Sequence, residues 1–206
     1  MQLKSDLFGS VTRAGEVVVR DTRSARWWVR WLARRLARRE ARALTILTGL
    51  RGVPRLLDYK QGILERTWIE GEPMHRARPR DVAYFRSAAR LLRRLHRAGV
   101  AHNDLAKEPN WLVTPAHEPA LVDFQLASVS RHRGRWFRTW GREDIRHLLK
   151  HKRTYCPEHL TSRERRILAT PAISSRLWRA TGKKLYLLIT RRVLGWQDRE
   201  GAGDRT

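Results

Sequence analysis

Val100-Ala101-His102-Asn103-Asp104-Leu105, then Asn110-Trp111-Leu112-Val113, then Leu121-Val122-Asp123-Phe124-Gln125, is the stretch around which the chain is organised. It reads as a polar loop, a short apolar strand, a turn from Thr114 to Pro119, and a second apolar strand ending on a carboxylate. A hairpin of this kind displays polar groups at its ends and would gather Asp104, Asn110 and Asp123 into one cleft. Two oxygen ligands there suit a hard cation such as Mg²⁺. The third group is then available as a base.

Composition bounds what such a cleft serves. The chain has 206 residues, 41% of them hydrophobic, enough for the core of one large domain or a small two-lobed one. Lys and Arg number 44 against 20 Asp and Glu, a net charge of +24. Such a surface attracts polyanions, whether nucleic acid, anionic lipid or phosphorylated glycan, and charge alone does not choose among them. A single cysteine, Cys156, excludes an internal disulfide and fits a reducing compartment. No apolar run approaches the roughly 20 residues of a membrane span, and Met1-Gln2-Leu3-Lys4-Ser5-Asp6 leads into no signal-peptide core. The expected location is the cytoplasm, with peripheral attachment at the inner membrane as the basic surface would allow.

Outward from the central stretch, residues 7–21 alternate loosely and predict a hairpin, Leu7 to Thr12 and Glu16 to Asp21, with Gly9 and Gly15 as turn points. Residues 23–47 are helical by pattern: Trp28, Leu32, Leu36, Glu40, Ala43 and Leu47 fall on one face, and Arg26, Arg30, Arg34 and Arg38 on the other. Glu40 is the anomaly, since a carboxylate in an apolar stripe is costly to bury unpaired. Trp27, Trp28 and Trp31 read as packing residues. Leu56 to Tyr59 and Ile63 to Ile69 predict two more strands, completing a five-stranded sheet that Glu70-Gly71-Glu72-Pro73 ends.

Residues 81–98 predict a helix with Val82, Phe85, Ala89, Leu92 and Leu95 toward the core, stopped at Gly99. Residues 130–142 read as a basic, aromatic loop, a composition that also describes a nucleic-acid surface. Glu143 to Lys152 reads as a helix with Asp144 in its first turn. His147, His151, Cys156 and His159 have spacings compatible with Zn²⁺, although Pro157 and the dense Lys and Arg around them argue for an ordinary basic surface. Ser175 to Gly195 reads as a basic amphipathic helix and 197–206 as a disordered tail.

These motifs resemble the protein-kinase-like superfamily. His102-Asn103-Asp104-Leu105 is similar to its His-Arg-Asp-Leu loop, Asn110 to its metal-binding Asn, and Asp123-Phe124-Gln125 to its Asp-Phe-Gly. Within the superfamily, the compact bacterial RIO-like and lipopolysaccharide-core sugar kinases look nearest. The resemblance implies an α+β, bilobal fold: residues 1–73 as a small antiparallel sheet plus helix, residues 74–196 as a mainly helical lobe.

It further implies ATP and Mg²⁺ as cofactors, with Asn110 and Asp123 holding the metal and Asp104 as the base. Arg20 would bind phosphates in place of the usual Lys, paired with Glu40, and Lys107 would stabilise the transferred group. Gly9 would lie over the phosphates, while Thr67, Trp68 and Ile69 would line the adenine pocket. His102 would hold the catalytic loop, and Asp144 would brace it. The acceptor would be a hydroxyl of a protein Ser or Thr, or of a lipopolysaccharide-core sugar. Gln125, the reduced Gly loop and Arg20 keep open a pseudokinase that only binds nucleotide. The net charge keeps open a nucleic-acid-binding protein.

Overall fold

The structure, a computed structural model, describes residues 2–170, and the described residues up to Leu168 form one compact unit. The helix expected over Ser175 to Gly195 and the tail at 197–206 lie outside the described residues. Strands β1 (Gln2–Asp6), β2 (Gly9–Ala14), β3 (Val17–Asp21), β4 (Leu56–Lys60) and β5 (Ile63–Thr67) make one antiparallel sheet in the order β1-β2-β3-β5-β4. The expected hairpin forms as β2 and β3 around Gly15, and β1 is a strand added before it. Leu7 and Phe8 form the turn that leads back from β1, and the strand expected from Leu7 begins at Gly9. Strand β1 is polar and lies at the edge, which is why its alternation is faint.

Helix α1 (Arg30–Ile46) is shorter than predicted, because residues 23–29 form turns instead. Its buried face is Ala33, Ala37, Glu40, Ala41, Ala43 and Leu44, rotated from the stripe through Leu32 and Leu36. Alanines let the helix approach the sheet and the segment after Asp123 closely, so backbone proximity displaces the bulkier residues to half-buried flanks. Two of the three tryptophans read as packing residues are not: Trp27 is 82% exposed and Trp31 66%.

After β6 (Glu72–Pro73) and α2 (Met74–Ala77), helix α3 (Val82–Arg97) starts on the Asp81 side chain, which accepts from the Ala83 N–H at 2.8 Å. It buries Tyr84, Phe85, Ala88, Leu91, Leu92 and Leu95. Strand β7 (Val100–Ala101) follows, and then β8 (Trp111–Val113) and β9 (Pro119–Leu121) make the expected hairpin, with β6 alongside β8. Strand β10 (Ser128–Val129) pairs with β7. Gly71 lets the chain pass tightly over β8, since a Cβ there would lie 3.0 Å from the Val113 carbonyl oxygen.

Helix α4 (Arg135–Tyr155) overturns two expectations. Most of the basic loop is helical, and Asp144 lies mid-helix and buried rather than in a first turn. Phe137, Gly141, Asp144 and Leu148 already recur at helical spacing on the buried side, a period masked by the arginines between them. The described chain ends in α5 (Ser162–Ala169). One core joins these parts: Leu44 of α1, Tyr84 and Leu92 of α3, and Trp111, Leu121 and Phe124 of the hairpin. The result is the α+β, kinase-like fold that the sequence leads one to expect. Among the described residues, no helix is long and apolar enough to cross a membrane.

Candidate active site

The loop after β7 is held from behind by a single carboxylate. Asp144 accepts the backbone N–H groups of His102 at 2.8 Å and Asn103 at 2.9 Å, and its Oδ2 also lies 3.0 Å from His96 Nε2. His102 is fully buried, with Nε2 3.0 Å from the Val122 carbonyl and its ring 4.6 Å from that of Phe124. Facing a carbonyl, Nε2 must carry the proton, so His102 is a strut between the loop and the second strand. Asn103 adopts φ +67°, and its Nδ2 donates to the Leu126 carbonyl and to Ser128 Oγ, both at 2.9 Å. A left-handed non-glycine residue is retained only where its surroundings fix it.

Held this way, Asp104 meets Asn110 and Lys107. Asn110 Nδ2 donates to the Asp104 carbonyl at 2.8 Å and to Asp104 Oδ2 at 3.1 Å, while Lys107 Nζ lies 3.0 Å from the same Oδ2. Because Nδ2 is committed to Asp104, Asn110 Oδ1 is left as an acceptor without a partner among the described residues. The Val122 N–H bonds to the Asn110 carbonyl at 3.1 Å, which seats the following residue, Asp123, beside Asn110. Asp123 has φ +64°, a second left-handed non-glycine residue. Gln125 Nε2 donates to its Oδ1 at 2.6 Å, and Arg20 lies 3.9 Å from the same oxygen. Burial works against charge on Asp123, yet Arg20, the Gln125 hydrogen bond, His102 and Lys107 outweigh it and hold the carboxyl below its ordinary pKa. Asp123 Oδ2 takes no partner among the described residues. An anionic carboxylate oxygen and an amide oxygen, both without a partner among the described residues, are donors of the kind that a hard divalent cation takes.

Behind them sits Glu40, fully buried. Strand pairing sets Val18 opposite Arg66 and Arg20 opposite Leu64, so these four share the sheet face that meets α1. Arg20 Nε reaches Glu40 Oε2 at 3.5 Å and Arg66 Nε reaches Oε1 at 3.2 Å, neither aligned as a hydrogen bond. Burial pushes the Glu40 carboxyl up from its ordinary pKa, with both arginines pulling the other way. Arg66 was not singled out in the sequence, although alternation with buried Leu64 would have pointed it inward. Arg39 was likewise missed, and Gln125 was read as a departure from glycine rather than as the partner of Asp123. Arg39 donates to the carbonyls of Leu126 at 3.0 Å and Ala127 at 3.1 Å, tying α1 to the segment after Asp123.

At the expected nucleotide end, Gly9 has a structural reason of its own. It has φ +119°, and a Cβ there would collide with the Asp21 carbonyl oxygen. The Thr67 N–H donates to the Arg55 carbonyl at 2.9 Å and the Trp68 N–H to that of Glu16 at 2.7 Å, so neither is available to an adenine ring. The Trp68 side chain is also engaged, lying under Arg13 at 4.2 Å and donating to Glu70 at 2.9 Å. Ile69 is the residue of the three whose N–H takes no partner among the described residues.

The candidate zinc set does not assemble as read. His151 Nε2 bonds the Leu105 carbonyl at 2.8 Å, supporting the loop after β7 from α4, and His147 is not brought to the cysteine. Cys156 and His159 do approach each other, together with Glu158, but the Cys156 thiol donates to the Arg80 carbonyl at 3.2 Å.

Fold and cleft together define a phosphotransferase of the kinase type. A model of the Phosphotransferase enzyme family (APH) matches residues 8–153, and the chain belongs to that family. A comparison with curated proteins gives no match.

Proposed function

We propose that this phosphotransferase is an ATP-dependent kinase that moves the γ-phosphate to a hydroxyl of a protein Ser or Thr or of a lipopolysaccharide-core sugar. The observation that carries the reading is the bonding of Asn110 Nδ2 to Asp104, which leaves the amide oxygen, like Oδ2 of Asp123, without a partner among the described residues. Asn110 Oδ1 and Asp123 Oδ2 would hold Mg²⁺, which when bound neutralises phosphate charge and orients the transferred group. Asp104 Oδ2 accepts the proton of the attacking hydroxyl. Lys107, 3.0 Å from that oxygen, and Arg20, between Glu40 and Asp123, offset negative charge at the transferred group. Glu40 positions Arg20. Ile69 offers its backbone to the nucleotide base at the end of β5, with Thr67 and Trp68 as framework, and Gly9 shapes the turn over the phosphates.

Five residues, 130–134, separate β10 from α4. So short a connection favours the compact RIO-like and lipopolysaccharide-core branch, in which a large acceptor reaches the cleft without a long covering segment. The lobe division at residues 73 and 74 belongs to the same reading. Millimolar Mg-ATP should raise the melting temperature, because a ligand that binds only the folded state stabilises it. Asp123→Ala should remove the metal-dependent part of that rise. No shift with Mg-ATP would sink the reading, and a metal-dependent shift that survives in the variant would remove Asp123 as a ligand.

A further inference from the structure

Two segments of the chain, residues 22–39 and 124–142, contain no Asp or Glu. The fold lays the second half of α1 beside residues 126–131. Arg39 of α1 bonds the carbonyls of Leu126 and Ala127, and further along the helix Arg42 and Ile46 share a concavity of about 390 Å³ with Val129, Ser130 and Arg131. At about 100° per residue, Trp31, Arg34, Arg35, Arg38 and Arg42 form the solvent side of α1, and all are exposed. A second concavity, about 430 Å³, opens on the same ridge with Arg23, Arg34, Arg38 and Tyr59 in its wall. The first turns of α4 repeat the pattern, with Trp136 and Trp140 one turn apart among exposed Arg135, Arg138 and Arg142.

Trp27, Trp31 and Trp136 are 82%, 66% and 73% exposed, large apolar faces left in water. Among the described residues, Arg34, Arg35, Arg38 and Arg42 have no acidic partner. Unpaired guanidinium groups around outward-pointing indoles match an anionic lipid interface, where arginines meet lipid phosphates and indoles sit at headgroup depth. Single-stranded nucleic acid would meet the same charge, but it stacks on aromatic platforms lying along a groove. Here the indoles stand out singly, Trp31 and Trp136 from helices and Trp27 from the turn before α1. We propose that the solvent side of α1 and the start of α4 dock the protein on an anionic bilayer, with Trp27, Trp31 and Trp136 entering the headgroup region. Through Arg39 this face borders the segment that follows Asp123. The proposal does not depend on phosphoryl transfer.

The test is co-sedimentation of the full chain with phosphatidylcholine vesicles, with and without phosphatidylglycerol. It compares wild type, R34Q/R35Q/R38Q/R42Q and W27A/W31A/W136A. All substituted positions are exposed, so unchanged melting temperatures check the fold, and residues 171–206 are the same in every variant. Wild type should bind only the anionic vesicles. Each arginine lost should weaken binding about fivefold, equivalent to about 1 kcal/mol per basic residue near the surface. Brominated lipid should quench tryptophan emission in wild type far more than in the tryptophan variant. The proposal is overturned if the arginine variant binds anionic vesicles as tightly as wild type, or if brominated lipid leaves wild-type emission unquenched. Displacement from vesicles by a single-stranded oligonucleotide at equal phosphate, without such quenching, would assign the face to nucleic acid.

Discussion

Glu40 and Asp144 are the two fully buried carboxylates among the described residues, and they are satisfied in opposite ways. Asp144 accepts two backbone N–H groups and lies against His96, a set of short, directed bonds from a loop and from α3. Glu40 lies between the guanidinium groups of Arg20 and Arg66, at 3.5 and 3.2 Å, with neither oxygen accepting an aligned hydrogen bond. Directed bonds fix a backbone in one conformation. Charge without alignment holds a side chain nearby and leaves it free to shift, and Arg20 is already within 3.9 Å of Asp123. On the proposed function, the difference would separate a loop that has to be rigid from an ion pair that can adjust to phosphates.

The largest effect should follow from breaking the rigid side. Asp144→Ala leaves buried N–H groups unpaired and should cost about 3–5 kcal/mol, with phosphoryl transfer lost alongside stability. A melting temperature within a few degrees of wild type would show that the loop does not rely on Asp144. Glu40→Gln should behave differently. Removing a charge that burial disfavours offsets part of what the arginines lose, so stability should change by less than about 2 kcal/mol. Transfer should still fall about 10- to 100-fold, the usual loss for a group that orients another. A Glu40→Gln variant as unstable as Asp144→Ala would erase the distinction between the two regions.

A smaller effect comes from His147, one turn beyond Asp144 on α4. Burial, with Lys150 nearby, lowers its pKa from 6.5 to about 4. As pH falls below 6.5 the unfolded chain takes up the proton first, so stability should decline progressively toward pH 4. Denaturant titrations at pH 7 and pH 5 should differ by about 1–2 kcal/mol more in wild type than in His147→Gln. Equal pH dependence in the two proteins would mean that the imidazole takes up its proton in the folded state as readily as in the unfolded chain.

How much of this was legible in the sequence depends on whether a residue's role is local. Asn110 and Asp123 flank one hairpin and Asp104 lies in the loop that leads into it, so their meeting follows from two short strands, a turn and a side-chain bond six residues long. The pairing of Arg20 with Glu40 was readable once Glu40 stood out in an apolar stripe, although the stripe itself was rotated. Arg66 and Arg39 were missed because each finds its partner through packing, and the bond of Gln125 to Asp123 was missed because it is a two-residue step that no periodicity encodes. The start of α4 was missed for another reason: its arginines hid the spacing of Phe137, Gly141 and Asp144. Trp27 and Trp31 show the converse error, since apolar character was read as burial on a helix whose close packing uses alanine.

The most direct test of the account is single-turnover phosphoryl transfer by Asp104→Ala, measured beside its Mg-ATP affinity. Asp104 touches Asn110 and Lys107 and is assigned the proton of the attacking hydroxyl. The variant should bind Mg-ATP within a few-fold of wild type and transfer at least about 100-fold more slowly. Transfer at the wild-type rate, with nucleotide still bound, would contradict the assignment of Asp104 as the base.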